Sequence, residues 1–189
     1  MPKKEILYSE SPGEVNSDAT LKIAKSRAEE LGVKDVVVAS TRGSTALKTI
    51  ELFKDFNVVV VPHVTGLREP GQQELEPEAR EKIEEAGGKI VIAAHTFGGV
   101  DAALMGKWST MYPAGIIAQT LRMFGQGMKV VVEILAMAAD AGLIPFDKDI
   151  LVVAGSGRGA DTAVIAKPAN SRRLFDIVIK EIIAKPSNL

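Results

Sequence analysis

The sequence predicts a three-layer α/β domain, helices on both faces of a mainly parallel sheet, with one antiparallel strand near the carboxyl terminus. Three observations carry this expectation. Residues 36–39, 58–61, 90–94 and Ile150–Ala154 are continuously apolar runs rather than alternating ones, the pattern of strands covered on both faces. Helical spacing fills the intervals between them. Just past these runs the chain turns polar and glycine-rich, and in an open parallel sheet the carboxyl ends of the strands share one side, where ligands bind.

Taken in order, residues 6–8 form a short apolar run suited to an edge strand, followed by turn residues at 9–13. A helix is expected next, capped at Asn16 or Ser17, striped by Leu21, Ala24, Ala28 and Leu31, and stopped by a left-handed Gly32. After the strand at 36–39, a short helix begins near Ser44 with Leu47, Ile50 and Phe53 inward, and leads to the strand at 58–61. Pro62 ends that strand, and a long polar loop, 63–73, carries Gly66, Pro70 and Gly71. Pro77 suits the first turn of a helix buried through Ala79, Ile83 and Ala86 and halted at Gly87 and Gly88. The run at 90–94 leads into His-Thr-Phe-Gly-Gly at 95–99. Residues 102–112, with the single tryptophan, fit neither helix nor loop clearly.

Pro113 opens a helix lined by Ile116, Ile117 and Leu121, and a nearly all-apolar helix spans 128–141 before Gly142. Such a helix is buried, within the domain or against another copy of the chain. Its small residues Ala136, Ala138, Ala139 and Ala141 allow close approach, so a homo-oligomer is expected. After the strand Ile150–Ala154 and the loop Gly-Ser-Gly-Arg-Gly, residues 162–166 read as the antiparallel strand. A last helix is expected from Asn170 or Ser171, with Leu174, Ile177, Val178 and Ile182 inward.

Composition bounds the possibilities. The 189 residues suit a single domain, 1–189, and 46% hydrophobic content argues against disorder. With 23 basic and 24 acidic residues the chain has no strongly basic surface to offer a nucleic acid. The absence of cysteine removes disulfides and thiolate chemistry. Residues 1–10 have lysines but no apolar signal core, and the longest apolar runs are interrupted before bilayer length, so the expectation is a cytoplasmic protein without a membrane partner.

The organising stretch is 36–46, Val-Val-Val-Ala-Ser-Thr-Arg-Gly-Ser-Thr-Ala. A buried strand ending in this turn brings the free N–H groups of the next helix beside the hydroxyls of Thr41, Ser44 and Thr45, a cradle suited to phosphate, with Arg42 as a planar charged fork. Equally, Ser44 or Thr45 serves only as a helix cap and Gly43 only turns the chain. On the cradle reading, a bulky residue at Gly43 weakens ligand binding far more than stability. His63 and His95 each follow a buried strand and can meet on one rim, beside Thr65, Gly66 and Thr96. Two imidazoles without a dependable third ligand make a poor metal site, so no metal is expected, and ligand hydrogen bonding or a half-buried structural role suits them better. Neither Ser44 nor Ser156 lies in a Gly-x-Ser-x-Gly elbow, and nothing in the sequence ties a histidine to them. Trp108 and Tyr112 suit either a flat ligand ring or the core.

Gly155, Gly157 and Ala160 formally match a relaxed dinucleotide fingerprint, but the β-branched residues that follow, cut by Pro168, replace the helix that motif needs. A glycine loop, Gly155, Ser156, Gly157, Arg158 and Gly159, that closes the same pocket around an anion remains open, as does a bland hairpin turn.

With both loops read, the chain resembles the α/β domain that ends pyruvate kinases, and most of all the free-standing archaeal-type proteins similar to it. In the kinases the corresponding strand enters a Thr-x-Ser-Gly-x-Ser/Thr-Ala-like turn that binds a phosphate of an allosteric sugar bisphosphate. Thr41, Gly43, Ser44, Thr45 and Ala46 stand in that pattern, with the spacing loosened by Arg42. Residues 149–167, with the Gly-Ser-Gly loop and Asp161–Thr162, resemble the kinase's closing hairpin. No catalytic barrel accompanies them, so the resemblance carries over no metal, phosphoenolpyruvate or nucleotide site and no kinase activity. For the free-standing proteins it implies FMN as cofactor, phosphate at Thr41–Thr45, with flavin-dependent oxidoreductase activity an open extension. The alternative it leaves is a non-catalytic module that senses a sugar phosphate or similar metabolite.

Overall fold

The computed structural model describes residues 4–188; the first three residues of the amino-terminal stretch read above lie outside them. Seven strands form one sheet: β1 (Leu7–Ser9), β2 (Asp35–Ala39), β3 (Asn57–Val61), β4 (Lys89–Ile90), β5 (Ile150–Ala154), β6 (Thr162–Lys167) and β7 (Val178–Pro186). Their order is β1-β7-β6-β5-β2-β3-β4, and β6 alone runs antiparallel to its neighbours. The fold expected from the sequence, a mainly parallel sheet with an antiparallel strand near the carboxyl terminus, is the one observed.

The continuous apolar runs are explained by the two faces they serve. Val36, Val38, Val58, Val60, Leu151 and Val153 pack with one set of helices, and Val37, Val59, Val61, Ile150 and Val152 with the other. The first set comprises α1 (Ser17–Leu31), α2 (Ser44–Leu52) and α3 (Pro77–Glu85). The second is led by α6 (Gln126–Asp140), with α5 (Pro113–Arg122) packed on it and α4 (Val100–Trp108) on α5. Alternate residues along each strand feed opposite cores, so past the opening Asp35 and Asn57 the central strands β2 and β3 are apolar throughout.

Several boundaries follow their sequence signals. Gly32 takes φ 67° and Gly142 φ 69°, the left-handed turns that end α1 and α6. Pro77 opens α3 and Pro113 opens α5. The exceptions are informative. The strand expected at 90–94 pairs only through Lys89–Ile90, with Val91 donating one more bond to Val60. In the β3–β4 register Pro62 falls opposite Ile92, and without an N–H it cannot extend the ladder.

The expected last helix is instead a short 3-10 segment, Ser171–Asp176, followed by the nine-residue strand β7. Two register shifts against β6 cause the misreading. Each bulge inserts a residue and moves the next side chains to the other face, so Ile179 and Ile182 share one core while Ile183 and Ala184 join the other. The interrupted alternation imitates helical spacing.

Leu31, Ala86 and Ile116, expected inward, are exposed, and Trp108 is 57% exposed at the end of α4, so it fills no core. The nearly all-apolar α6 is buried within the chain, against β5, β2 and α5. Among the described residues no helix is long and apolar enough to cross a membrane.

Candidate functional site

Sheet order decides where a ligand can enter. From β2 the chain moves outward through α2, β3, α3 and β4 along one face, then returns on the opposite face through α4, α5 and α6 to β5, on the other flank of β2. The connections diverge between β2 and β5, and a crevice opens there at the strand carboxyl ends. A cavity of about 600 Å³ occupies it.

Its first wall is the turn after β2. Ser40, at the buried end of the strand, accepts the Ala46 amide on its hydroxyl at 3.1 Å. That bond ties the start of α2 to the strand, and neither Ser44 nor Thr45 acts as the cap: the capping position is Gly43, which has no side chain to offer. Thr41, Arg42, Ser44 and Thr45 line the cavity. Gly43 does not. It has φ 105°, and a Cβ there would lie 2.4 Å from the Cβ of Ala79 on α3. The expectation that a bulky residue at Gly43 acts mainly on ligand binding is therefore corrected: the glycine is needed for helix approach, and substitution strikes the fold first.

The second wall joins the loops after β3 and β4. His63 and His95 both line the cavity, with ring centroids 5.6 Å apart. His63 bonds through Nδ1 to Glu74 Oε2 at 2.7 Å and through Nε2 to Thr41 Oγ1 at 3.3 Å. Glu74 also meets Arg68 Nε at 3.2 Å, and its carboxyl is held below the usual range, chiefly by the His63 bond. His95 accepts the Val64 amide on Nε2 at 3.2 Å. Burial pushes its pKa down, against the opposing pull of Glu133, so the neutral form required by that acceptor role is also favoured by its surroundings.

Three other predicted positions shape the walls without lining them. Thr65 receives a bond from the Gln73 amide, Gly66 closes the loop with φ 84°, and Thr96 donates to the Glu133 carbonyl.

The floor comes from α6. Lys129 and Glu133, 8% and 4% exposed, form an ion pair within the cavity lining. Glu133 also accepts the Phe97 amide at 3.1 Å, so it holds the loop after β4 onto the helix. Val130, Ile134 and Met137 add an apolar strip. Periodicity identified α6 as buried, yet did not separate Lys129 and Glu133 from an ordinary i,i+4 surface pair, and Glu74 sits in a polar loop with no distinguishing neighbour.

The last wall is the glycine loop after β5. Gly155, Gly157, Arg158 and Gly159 line the same cavity as the β2 turn, while Ser156 does not line it and bonds its amide to Asp161 at 2.9 Å. The glycines serve the protein as well as the cavity. A Cβ on Gly155 would lie 2.3 Å from the Gly159 carbonyl, and one on Gly159 would lie 2.4 Å from Glu14 Cα. Altogether Arg42, Arg68, Lys129 and Arg158 face Glu14, Glu74, Glu76 and Glu133 around the cavity, so directional donors rather than net charge distinguish its parts.

The geometry can be set beside known proteins. Solved structures of a pyruvate kinase from Cryptosporidium parvum are similar at 13% identity, one with a TM-score of 0.43 over 80% of this chain and 22% of that one. The same organism's pyruvate kinase in complex with ADP gives 13% identity and a TM-score of 0.40 over 78% and 22%. The chain thus spans about a fifth of the length of those chains. A family model described as pyruvate kinase, alpha/beta domain, matches residues 18–166, and on that match the chain belongs to the pyruvate kinase alpha/beta domain family.

Proposed function

We propose that this chain binds a phosphorylated cofactor, FMN, in the cavity at the carboxyl ends of β2, β3 and β5. The observation that carries the reading is the pairing of a polar turn at a helix start with an apolar strip across one cavity. Thr41, Arg42, Ser44 and Thr45 supply hydroxyls and a guanidinium beside the first two amides of α2, the third, that of Ala46, being bonded to Ser40. Val130, Ile134 and Met137, with Val61 and Pro62, offer an apolar surface to a flat ring. The volume of about 600 Å³ lies in the range of cofactor pockets.

In this reading Thr41 to Thr45 hold the phosphate, α6 supports the ring, and Arg158 closes the loop side. FMN so held would supply a two-electron redox centre, which is the basis for extending the reading to an oxidoreductase. The partner is then a phosphorylated small molecule. A homo-oligomer is part of the proposal, and the exposed Trp108, Met111, Ile116, Met123 and Phe124 around α4 and α5 offer apolar surface for it.

One observation favours the second reading, a non-catalytic sensor of a sugar phosphate. Three arginines, Arg42, Arg68 and Arg158, reach the cavity, more than one phosphate requires. Mass spectrometry and visible absorption of the purified protein separate the readings. A yellow chromophore released as FMN supports the first; a colourless protein that binds sugar bisphosphate and not added FMN replaces it with the second.

A further inference from the structure

Glu74, His63 and Thr41 form a hydrogen-bonded chain from a carboxylate, through an imidazole, to a hydroxyl in the cavity wall, with spacings of 2.7 Å and 3.3 Å. The direction of each bond follows from chemistry. Glu74 is a carboxylate and only accepts, so His63 carries a proton on Nδ1. In neutral His63 the other nitrogen, Nε2, is a lone pair, and the bond to Thr41 requires the threonine O–H to donate into it. Thr41 then shows a ligand only its oxygen lone pairs, which an anion avoids. When Nε2 gains a proton the bond reverses: the imidazolium donates to Thr41 Oγ1, and the freed O–H can donate to a phosphate oxygen.

Building on the phosphate site proposed above, we infer that His63 and Glu74 are positioning residues that make Thr41 a phosphate donor only when Nε2 of His63 is protonated, so that a phosphate monoester is bound with uptake of a proton. Neither residue need touch the ligand; both act through Thr41.

The surroundings select His63 over His95 as the group that takes the proton. His95 Nε2 already accepts the Val64 amide, a bond its protonated form cannot make. Burial also reduces the basicity of His95. His63 instead faces the Glu74 carboxylate, itself bridged by Arg68 and within the field of Arg42. From α6, Glu133 and Lys129 act on His95 as a paired carboxylate and ammonium. Two rings with centroids 5.6 Å apart resist a second charge, and the carboxylate at His63 Nδ1 decides which ring holds the first. A bound phosphate dianion beside Thr41 favours the same charged state, so ligand and proton reinforce one another.

The experiment is calorimetric titration with inorganic phosphate and with FMN, from about pH 5.5 to about pH 8.5, in buffers of different ionisation enthalpy. The wild-type protein should take up a proton on binding over part of this range, with affinity falling up to about tenfold per pH unit on the alkaline side. In His63→Gln the uptake should vanish, leaving only the pH dependence of the phosphate's own second ionisation. Glu74→Gln should retain ligand binding but move the slope to lower pH, because a neutral amide no longer supports the imidazolium. Thr41→Val should lose roughly tenfold or more in affinity at low pH, and Thr41→Ser should restore it. Imidazole NMR signals, with only two histidines in the chain, identify the ring that becomes protonated. Equal proton uptake in wild type and His63→Gln, or protonation of His95 instead, overturns the inference while leaving the phosphate site standing. No saturable binding of either probe at any pH overturns both.

Discussion

Replacing Gly43 with alanine should cost about 2–6 kcal/mol of folding stability, from two contributions that can be separated. The first is backbone strain: at φ 105° a residue with a Cβ sits in a sparsely populated conformation, at about 1–3 kcal/mol. The second is steric. The new Cβ would lie 2.4 Å from Ala79 Cβ and 3.3 Å from Leu75 Cδ1, so α3 must move, and overpacking of this kind costs about 1–3 kcal/mol. Ala79→Gly removes the struck atom, at its own cost of about 1 kcal/mol for a glycine within a helix. In the double variant the steric part should disappear and the strain should stay, giving a favourable coupling of about 1–3 kcal/mol in a double-mutant cycle. Urea unfolding reads each corner of the cycle through the midpoint at constant slope. A Gly43→Ala protein within about 0.5 kcal/mol of wild type, or a cycle additive to that precision, would refute the packing argument.

The other predictions probe charge. Glu181 is held below its ordinary pKa, first by its hydrogen bond from Arg27 and then by Lys4; its contribution is therefore present above the unfolded carboxyl pKa and lost as pH falls through the lowered one. Arg27→Met should cost about 1 kcal/mol at pH 7 and flatten the acid limb of a pH–stability curve below about pH 4.5, and an unchanged limb would count against the pairing. Lys129→Met leaves Glu133 buried without its cation and should destabilise by about 3–5 kcal/mol, with Lys129→Met/Glu133→Gln recovering much of the loss in thermal unfolding; no recovery would mean that the pair is not the cause. Arg158→Gln and Ser44→Val should couple in a cycle of phosphate affinity if both loops grip one ligand, and simple additivity would separate them.

How far the site could be read in advance depended on which interactions are local. The strand ends, the β2 turn and the two histidines are marked by neighbours within a few residues, and Thr41, Arg42, His63, His95 and Arg158 do meet in one cavity. Glu74 and Glu133 take their roles from partners 11 and 36 residues away, and no local pattern distinguishes a carboxylate that will find a histidine from one that faces water. The order of strands was equally hidden. Nothing in the residues of β5 states that it lies beside β2 rather than beyond β4, and that adjacency creates the crevice. In β7 the failure was of a different kind: the residues are locally strand-like, but two bulges replaced period two with spacings of three.

The glycine loop illustrates why a glycine pattern overstates ligand contact. Asp161, 1% exposed, accepts the amides of Gly13 and Ser156 on one oxygen and the Thr162 hydroxyl on the other. Ser17 at the start of α1 takes the Ala160 amide. From the opposite face Gly127 brings α6 so near that a Cβ would lie 2.1 Å from Thr162 Oγ1. Two helices from different layers and the β5–β6 hairpin thus converge on Asp161 and Thr162, and residues 155–159 are mounted on that junction by bonds that a ligand does not supply. A loop held in this way is a fixed wall rather than a lid. Its backbone has little freedom to close over a guest, so the adaptable part of this wall is the exposed Arg158 side chain, and differences in grip between ligands should arise from the reach of that guanidinium rather than from movement of the glycines.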